Sequence, residues 1–372
     1  MTTRRGLAIG CGGLLGFAWT AVALDAVERA MNWDTRTADV LIGTSAGAEL
    51  VAALGSGRTP ADLLAALDGA PGADPVLARH IAVDPGRFPP LPGLGLPALG
   101  LIGAGLRTRS PYTALAGLLP RGRGDADWLR SYGRSLADPS GWVSHPATWV
   151  VGADAATGER VIFGPDESGN GTGSTAESAG TAVSGLPVDA AEGEKSPGTS
   201  AGSSAGAGSS REPVTVPTNR AEAGAVDLGD AIAASWAIPG WFPPVPIGPR
   251  YYVDGGSVSS VSADLLAPLE LDEVVVIAPM TSAGGAPATG LDRIERLLRA
   301  QMTRGLDREV ALLRAAGTRV IRVEPGPREL AAMGPNFMDS TRRPATLAAA
   351  RAHLPARVTA AIRAADLAQG SV

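Results

Sequence analysis

The alternation of apolar and polar positions divides the chain into short buried runs and longer segments with one polar face. "GLAIG" (6–10) has no polar side chain and the length of a buried strand. "LLGFAWTAVALDAVERAM" (14–31) is apolar at first and gains Asp25, Glu28 and Arg29 near its end, which predicts a helix leaving the core. "ADVLIG" (38–43) and "AGAELVAAL" (46–54) repeat the order strand, then helix. "TPADLLAALDG" (59–69) adds a helix with Thr59 as its cap and Pro60 at its first position. Residues 147–164 read as two strands joined by a turn at Ala156-Thr157-Gly158. Residues 226–247 predict a helix ending near Pro239, then an apolar Pro-rich turn; 251–256 predict a strand entering a turn. A buried strand at 271–280, a long charged helix at 291–317 and a strand at 319–325 follow. Residues 344–368 predict one amphipathic helix or a pair, interrupted at Pro355. The βαβα opening points to an α/β fold, a mostly parallel sheet layered with helices.

Three stretches break this rhythm. "PGRFPPLPGLGLPALGLIGAGL" (85–106) is apolar, rich in Pro and Gly, and cannot be helical throughout. It reads either as a buried connection or as a lid or surface in peripheral contact with a membrane. From about 165 to 212 the composition is Gly, Ser, Thr and Ala, too poor in apolar side chains to offset its ordering entropy; this predicts a disordered insertion within one domain. At the N-terminus, Arg4-Arg5 precede 19 uncharged residues (6–24), near the length of a membrane span or an export signal. Gly10, Gly12, Gly13 and Gly16 weaken a helix there, so a strand, a Gly-rich loop and a buried helix are preferred and a cytoplasmic location is expected.

Composition narrows the function classes. A net charge of -5 argues against a nucleic-acid partner. The single cysteine, Cys11, excludes an internal disulfide, and with three scattered histidines there is no zinc-ligand spacing.

Candidate chemistry centres on "GTSAG" (43–47). G-x-S-x-G between a strand and a helix holds a serine on a tight turn, with Gly43 and Gly47 letting the chain close and the helix dipole directed at the hydroxyl of Ser45. In a chain with 49 glycines the pentapeptide alone is weak; its setting strengthens it. "GCGGLLG" (10–16) places consecutive flexible residues before a helix, where backbone N–H groups can converge on an oxyanion. A dinucleotide fingerprint fails, because Leu15 stands where G-x-G-x-x-G from Gly10 needs its last glycine. "YYVDGG" supplies Asp254 at a strand end before Gly255 and Gly256, a turn that could also be only a turn.

Taken in order, the N-terminal Gly-rich loop, G-T-S-A-G, "ASWAIPGWFPPV" and D-G-G resemble the patatin-like phospholipases, and "MGPNFMDSTRR" (333–343) is similar to bacterial members. The resemblance implies a three-layer α/β/α fold in a hydrolase domain spanning 1–330, with 331–372 as a C-terminal helical extension packed on it. It implies a serine acyl-ester hydrolase of the phospholipase A or lipid acyl hydrolase type, needing no metal or organic cofactor. Carried over, Ser45 is the nucleophile and Asp254 the base. The N–H groups of Gly12, Gly13 and Leu14 form the oxyanion hole, and Gly10, Gly16, Gly43, Gly47, Gly255 and Gly256 shape the loops. Ser235 and Pro239 fall beside the site with no chemical role assigned.

Two residues depart from that pattern. Cys11 stands at a common glycine position and is strained by about 1–2 kcal/mol if positive φ is required there; it reads as a small buried thiol. Leu15 replaces the usual basic residue before Gly16, which weakens a preference for phospholipid over neutral ester. Two other readings stay open: a non-catalytic lipid-binding protein on the same fold, and an esterase with a triad of Ser45, Asp254 and His353. His353 is expected at the surface, and His80 and His145 are expected to be structural.

Overall fold

The computed structural model describes residues 3–96, 98–165, 226–283, 285, 290 and 292–369. The stretch expected to be a disordered insertion lies outside these residues from 166 on. The chain opens with β1 (Arg5–Ile9), α1 (Gly13–Met31), β2 (Val40–Thr44) and α2 (Ala46–Gly55). Helices α3 (Pro60–Leu67) and α4 (Pro75–Ile81) come next, then α5 (Leu99–Thr108), α6 (Pro111–Gly117) and α7 (Asp127–Leu136). β3 (Thr148–Asp154) and β4 (Arg160–Phe163) form an antiparallel pair. The remainder comprises α8 (Leu228–Ser235), β5 (Val245–Ile247), β6 (Arg250–Asp254), β7 (Glu273–Ile277), α9 (Asp292–Ala315), β8 (Arg319–Val323), α10 (Pro327–Met333) and α11 (Arg343–Gln369).

Five strands run parallel in the order β8, β7, β1, β2, β3, and β4, β5 and β6 are antiparallel additions at the β3 side. Alternate residues of the parallel strands point to opposite faces. Leu7, Ile9, Leu41, Val150, Val275 and Ile277 join one apolar core, with α1, α2, α8 and α11 over it. Ala8, Val40, Ile42, Trp149, Val274 and Val276 join the other, under α9 and the 3-10 segment Ala263–Leu269. The fold is therefore a mostly parallel sheet between two helical layers, and both faces being covered explains the continuous apolar runs in the middle of β1, β2, β3 and β7.

The uncharged N-terminal run forms β1 and most of α1, inside this core. Gly13 to Leu24 are all buried, because the sheet lies on one side of α1 and α3 and α11 pack on others. Among the described residues no helix is long and apolar enough to cross a membrane.

Register fixes which loops meet. Thr44 of β2 stands opposite Val151, and Asp254 of β6 opposite Gly152. β4 pairs with residues 150–153 of β3 and so occupies one edge of that strand. β2 and β6 must then share the other edge, one running up to Val151 and one running down to Gly152. Their C-terminal ends abut. A Cβ on Gly255 would lie 2.6 Å from the carbonyl oxygen of Val151 and 3.2 Å from the Thr44 methyl, which is why this position carries no side chain.

Two expectations are corrected here. The helix predicted to reach Pro239 ends at Ser235; Trp236 to Phe242 form successive turns. The C-terminal segment is one unbroken helix, α11, in spite of Pro355. Ala350, Leu354, Val358 and Ala365 are buried on one face of it, and their packing along α1 and β8 outweighs the lost backbone bond. Pro355 itself is exposed. Replacing it with Ala restores an N–H donor without losing packing, so Pro355→Ala is expected to raise the unfolding free energy by about 1–3 kcal/mol. Urea denaturation measures this, and a loss of stability would contradict a continuous helix.

Candidate active site

Ser45 occupies the turn between β2 and α2 with φ 57° and ψ −121°, a conformation L residues rarely adopt. Sterics explain both flanking glycines. A Cβ at Gly43 would lie 2.3 Å from the Gly47 carbonyl oxygen, and one at Gly47 would lie 2.1 Å from that of Ile9. The helix start can thus press against the ends of β1 and β2 only without side chains. The strain at Ser45, about 1–3 kcal/mol for such a backbone, is held by two bonds. The Ser45 N–H donates to the Ser235 hydroxyl oxygen at 2.8 Å, and the Ser235 hydroxyl in turn donates to the Val151 carbonyl at 2.7 Å.

The Ser45 hydroxyl lies close enough to the Asp254 carboxyl to favour its charged form. Asp254 is held at both ends of the residue. Its N–H donates to the Ala237 carbonyl at 3.0 Å, and its Oδ1 accepts the Gly256 N–H at 2.7 Å. Burial pushes its pKa up from 3.8 to about 7, against the Gly256 N–H bond and the nearby Ser45 hydroxyl, which favour the charged form. Both residues are almost wholly buried, at 2% and 5% exposed.

The Gly-rich loop lies alongside. Ile9 stands opposite Gly43 in neighbouring parallel strands, so residues 10–13 and Ser45 leave the same end of the sheet. The Leu15 N–H donates to the Phe337 carbonyl at 3.1 Å and the Gly16 N–H to the Gly12 carbonyl at 2.8 Å. The N–H groups of Gly12, Gly13 and Leu14 have no protein partner among the described residues, and they begin α1 with its positive dipole end. Gly13 has φ 56° and lies under Phe337, which gives "MGPNFMDSTRR" a position over this loop.

Cys11 does not take positive φ, which falls at Gly13, so the condition for strain at Cys11 is not met. Cys11 is buried, and its side chain fills the space above Gly256, where an added Cβ would lie 3.0 Å from that of Cys11. Burial and then the Asp254 carboxylate push the thiol pKa up, so it stays protonated.

None of the three histidines bonds to Ser45 or Asp254 among the described residues. His145 Nε2 meets the Ala38 carbonyl at 2.8 Å, at the opposite end of β2. His353 lies half-buried on α11. His80 is buried, stacked on Tyr132 with ring centroids 3.7 Å apart, and bonded through Nε2 to Glu49.

Two side chains around the site, Glu49 and Arg299, escaped the sequence reading, and Ser235, placed beside the site there, has a structural role that it was not given. Ser235 supplies the acceptor for the strained turn; its signal was a hydroxyl inside an otherwise apolar helix, "AIAASWAIPG". Glu49, one turn beyond Ser45, bonds the indole of Trp236 as well as His80, and so ties α2 to α8 and α4. A lone acid within "AGAELVAAL" marked it. Arg299 of α9 is buried behind the loop, with its guanidinium donating to the Pro279 carbonyl at 2.5 Å while Pro279 packs on Gly12 and Gly16. Nothing in its Arg-rich helix distinguished it. Among the described residues no group of three or more His, Cys, Asp or Glu side chains could hold a metal ion.

No protein-family model matches this chain, and no curated protein matches it significantly.

The raised pKa of Asp254 has a consequence for stability. Its carboxyl ionises near 7 in the folded state and at about 4 when unfolded. Ionisation therefore opposes folding: the cost is absent below pH ~4, grows between pH ~4 and ~7, and is complete above that. Asp254→Asn removes it. The variant's stability relative to wild type is expected to be more favourable at pH 8 than at pH 5 by about 2–3 kcal/mol. Denaturant unfolding at both pH values measures the difference, and a pH-independent gap would overturn the assignment of Asp254 as a high-pKa group.

Proposed function

We propose that the protein is a serine acyl-ester hydrolase of the patatin-like phospholipase type, working with a dyad of Ser45 and Asp254 on lipid or related ester substrates. The observation that carries this reading is that strand register brings a strained, buried serine beside a buried carboxyl group whose pKa lies near neutrality. A base of that pKa is half ionised at neutral pH and strong enough to accept a proton as the hydroxyl attacks. The resemblance in "GCGGLLG", "GTSAG" and "VDGG" supports the same conclusion.

On this reading Ser45 Oγ attacks the ester carbonyl carbon while Asp254 takes the hydroxyl proton. The carbonyl oxygen becomes an oxyanion, which the N–H groups of Gly12, Gly13 and Leu14 receive. Collapse breaks the ester C–O bond; the leaving alcohol takes the proton from Asp254, and an acyl group stays on Ser45. Water then attacks the acyl carbon, giving its proton to Asp254, and the second collapse returns that proton to Ser45 Oγ and frees the carboxylic acid. No imidazole enters. The strain at Ser45 presents the hydroxyl without rearrangement, and each preformed oxyanion donor is worth about 2.7–4 kcal/mol in such sites.

Hydrolysis of p-nitrophenyl butyrate is expected to fall by about 10³-fold or more in Ser45→Ala and in Asp254→Asn, and to change less than about twofold in His353→Ala. Labelling by a fluorophosphonate should disappear in Ser45→Ala. A folded Ser45→Ala variant that keeps wild-type turnover would sink the proposal, and a large loss in His353→Ala would replace the dyad with a triad. Because the base must be ionised, kcat/KM is expected to rise with pH through a midpoint near 7 and to level off above it. A profile flat from pH 5 to 9 would remove Asp254 from the role of base.

A further inference from the structure

The stretch between Pro85 and Gly124 carries five arginines and no acidic residue, in a chain whose net charge is -5. It also holds nine of the thirteen large apolar side chains exposed among the described residues. The two properties occupy one surface. Leu99 and Leu106 are exposed on one side of α5, while Leu101, Ala104 and Gly105 are buried on the other. Leu115, Leu118 and Leu119 project in the same way from α6 and the turn after it. α5 and α6 are packed as a tight hairpin, since a Cβ on Gly105 would lie 2.3 Å from the Ala114 nitrogen. The loop before α5 returns to the end of this hairpin. Gly93 N–H donates to the Arg121 carbonyl at 2.6 Å, and Arg121 N–H to that of Gly95 at 3.1 Å. This sets Leu91 and Leu94, at 85% and 97% exposed, beside the arginines. Arg109, Arg121 and Arg123 are exposed and have no acidic partner among the described residues.

The surface borders the candidate site. α6 contacts the turn Gly255–Ser257, and Tyr112 of α6 packs with Cys11. Arg87 is ion-paired with Asp339 at 3.0 Å, and its carbonyl accepts from Asn336, in the turn that carries Phe337 over the oxyanion loop.

We propose that the α5–α6 hairpin and the loop before it form a docking surface for an anionic lipid bilayer, seating the leucines among the acyl chains and the arginines among the headgroup phosphates. Charge decides between occupants. A second copy would set Arg109, Arg121 and Arg123 against their equivalents with no acid of this stretch to neutralise them, whereas an anionic leaflet complements both the apolar and the cationic part. Outside this stretch the chain is net acidic, so an anionic leaflet favours this face over the rest of the protein on average. The inference deepens the acyl-hydrolase reading and rests on it for its purpose, bringing Ser45 to lipid esters at the surface. Its test reads binding and not turnover, so either can fail alone.

The full chain and its Ser45→Ala variant are sedimented with vesicles of phosphatidylcholine alone and of an equimolar mixture with phosphatidylglycerol. Both proteins are expected to bind the mixture at least about tenfold more tightly, and to lose much of that on raising sodium chloride from about 0.1 M to about 0.5 M. Leu94→Asp/Leu106→Asp/Leu115→Asp is expected to weaken binding by about tenfold or more. Arg109→Glu/Arg123→Glu keeps the apolar face and should lose the preference for phosphatidylglycerol. Circular dichroism verifies that each variant is folded. Absence of binding to the mixture, or equal binding by the folded triple variant, overturns the proposal. So does a dimer in sedimentation equilibrium that the triple variant abolishes, since the face would then belong to a second copy.

Discussion

The closeness of the Ser45 hydroxyl to the Asp254 carboxyl brings together residues more than two hundred positions apart, and the sheet is arranged so that they meet. β2 and β6 share one edge of β3 and approach from opposite directions, ending at adjacent positions, Val151 and Gly152. A one-residue slip in either register would turn one of the two side chains to the other face. The glycines at 43, 47 and 255 belong to the same constraint: each lies where a neighbouring strand or carbonyl leaves no room for a Cβ.

Keeping these groups in place has opposing effects on stability. Ser45 holds an unfavourable backbone conformation, and Asp254 is buried where its charge is disfavoured. The surroundings offset both through directed bonds. Ser235 takes the Ser45 N–H, Gly256 donates to Asp254, and Glu49 locks α2 against Trp236 and His80. The result is a braced hydroxyl–carboxyl pair beside the N–H groups that open α1 and have no partner among the described residues. On the proposed reading, that same bracing supplies an oriented nucleophile, a base tuned to neutral pH and a preformed oxyanion site.

Much of the scaffold was legible in advance because it rests on local signals. Short apolar runs marked β1, β2 and β7, and Thr59 with Pro60 marked the start of α3, where Thr59 and Asp62 complete a reciprocal cap. Pro355 misled, because its local penalty is overridden by the buried face of α11. Cys11 is the small buried thiol expected, but which loop residue takes positive φ was not legible, because Phe337 and Pro279, which press on the loop, are far from it in sequence.

Taken alone, the sequence determined the α/β alternation, the strand–turn–helix around Ser45, the Gly-rich opening of α1 and the presence of an apolar stretch without acids near residues 85–124. These follow from side-chain periodicity, glycine placement and charge, all read over a few residues. Only the tertiary structure decided that Asp254 meets Ser45, that its pKa lies near neutrality, that Ser235 and Glu49 brace the turn, and that the apolar stretch faces outward beside the site. Each of these depends on strand register or on burial, and both are set by contacts between segments far apart in the chain.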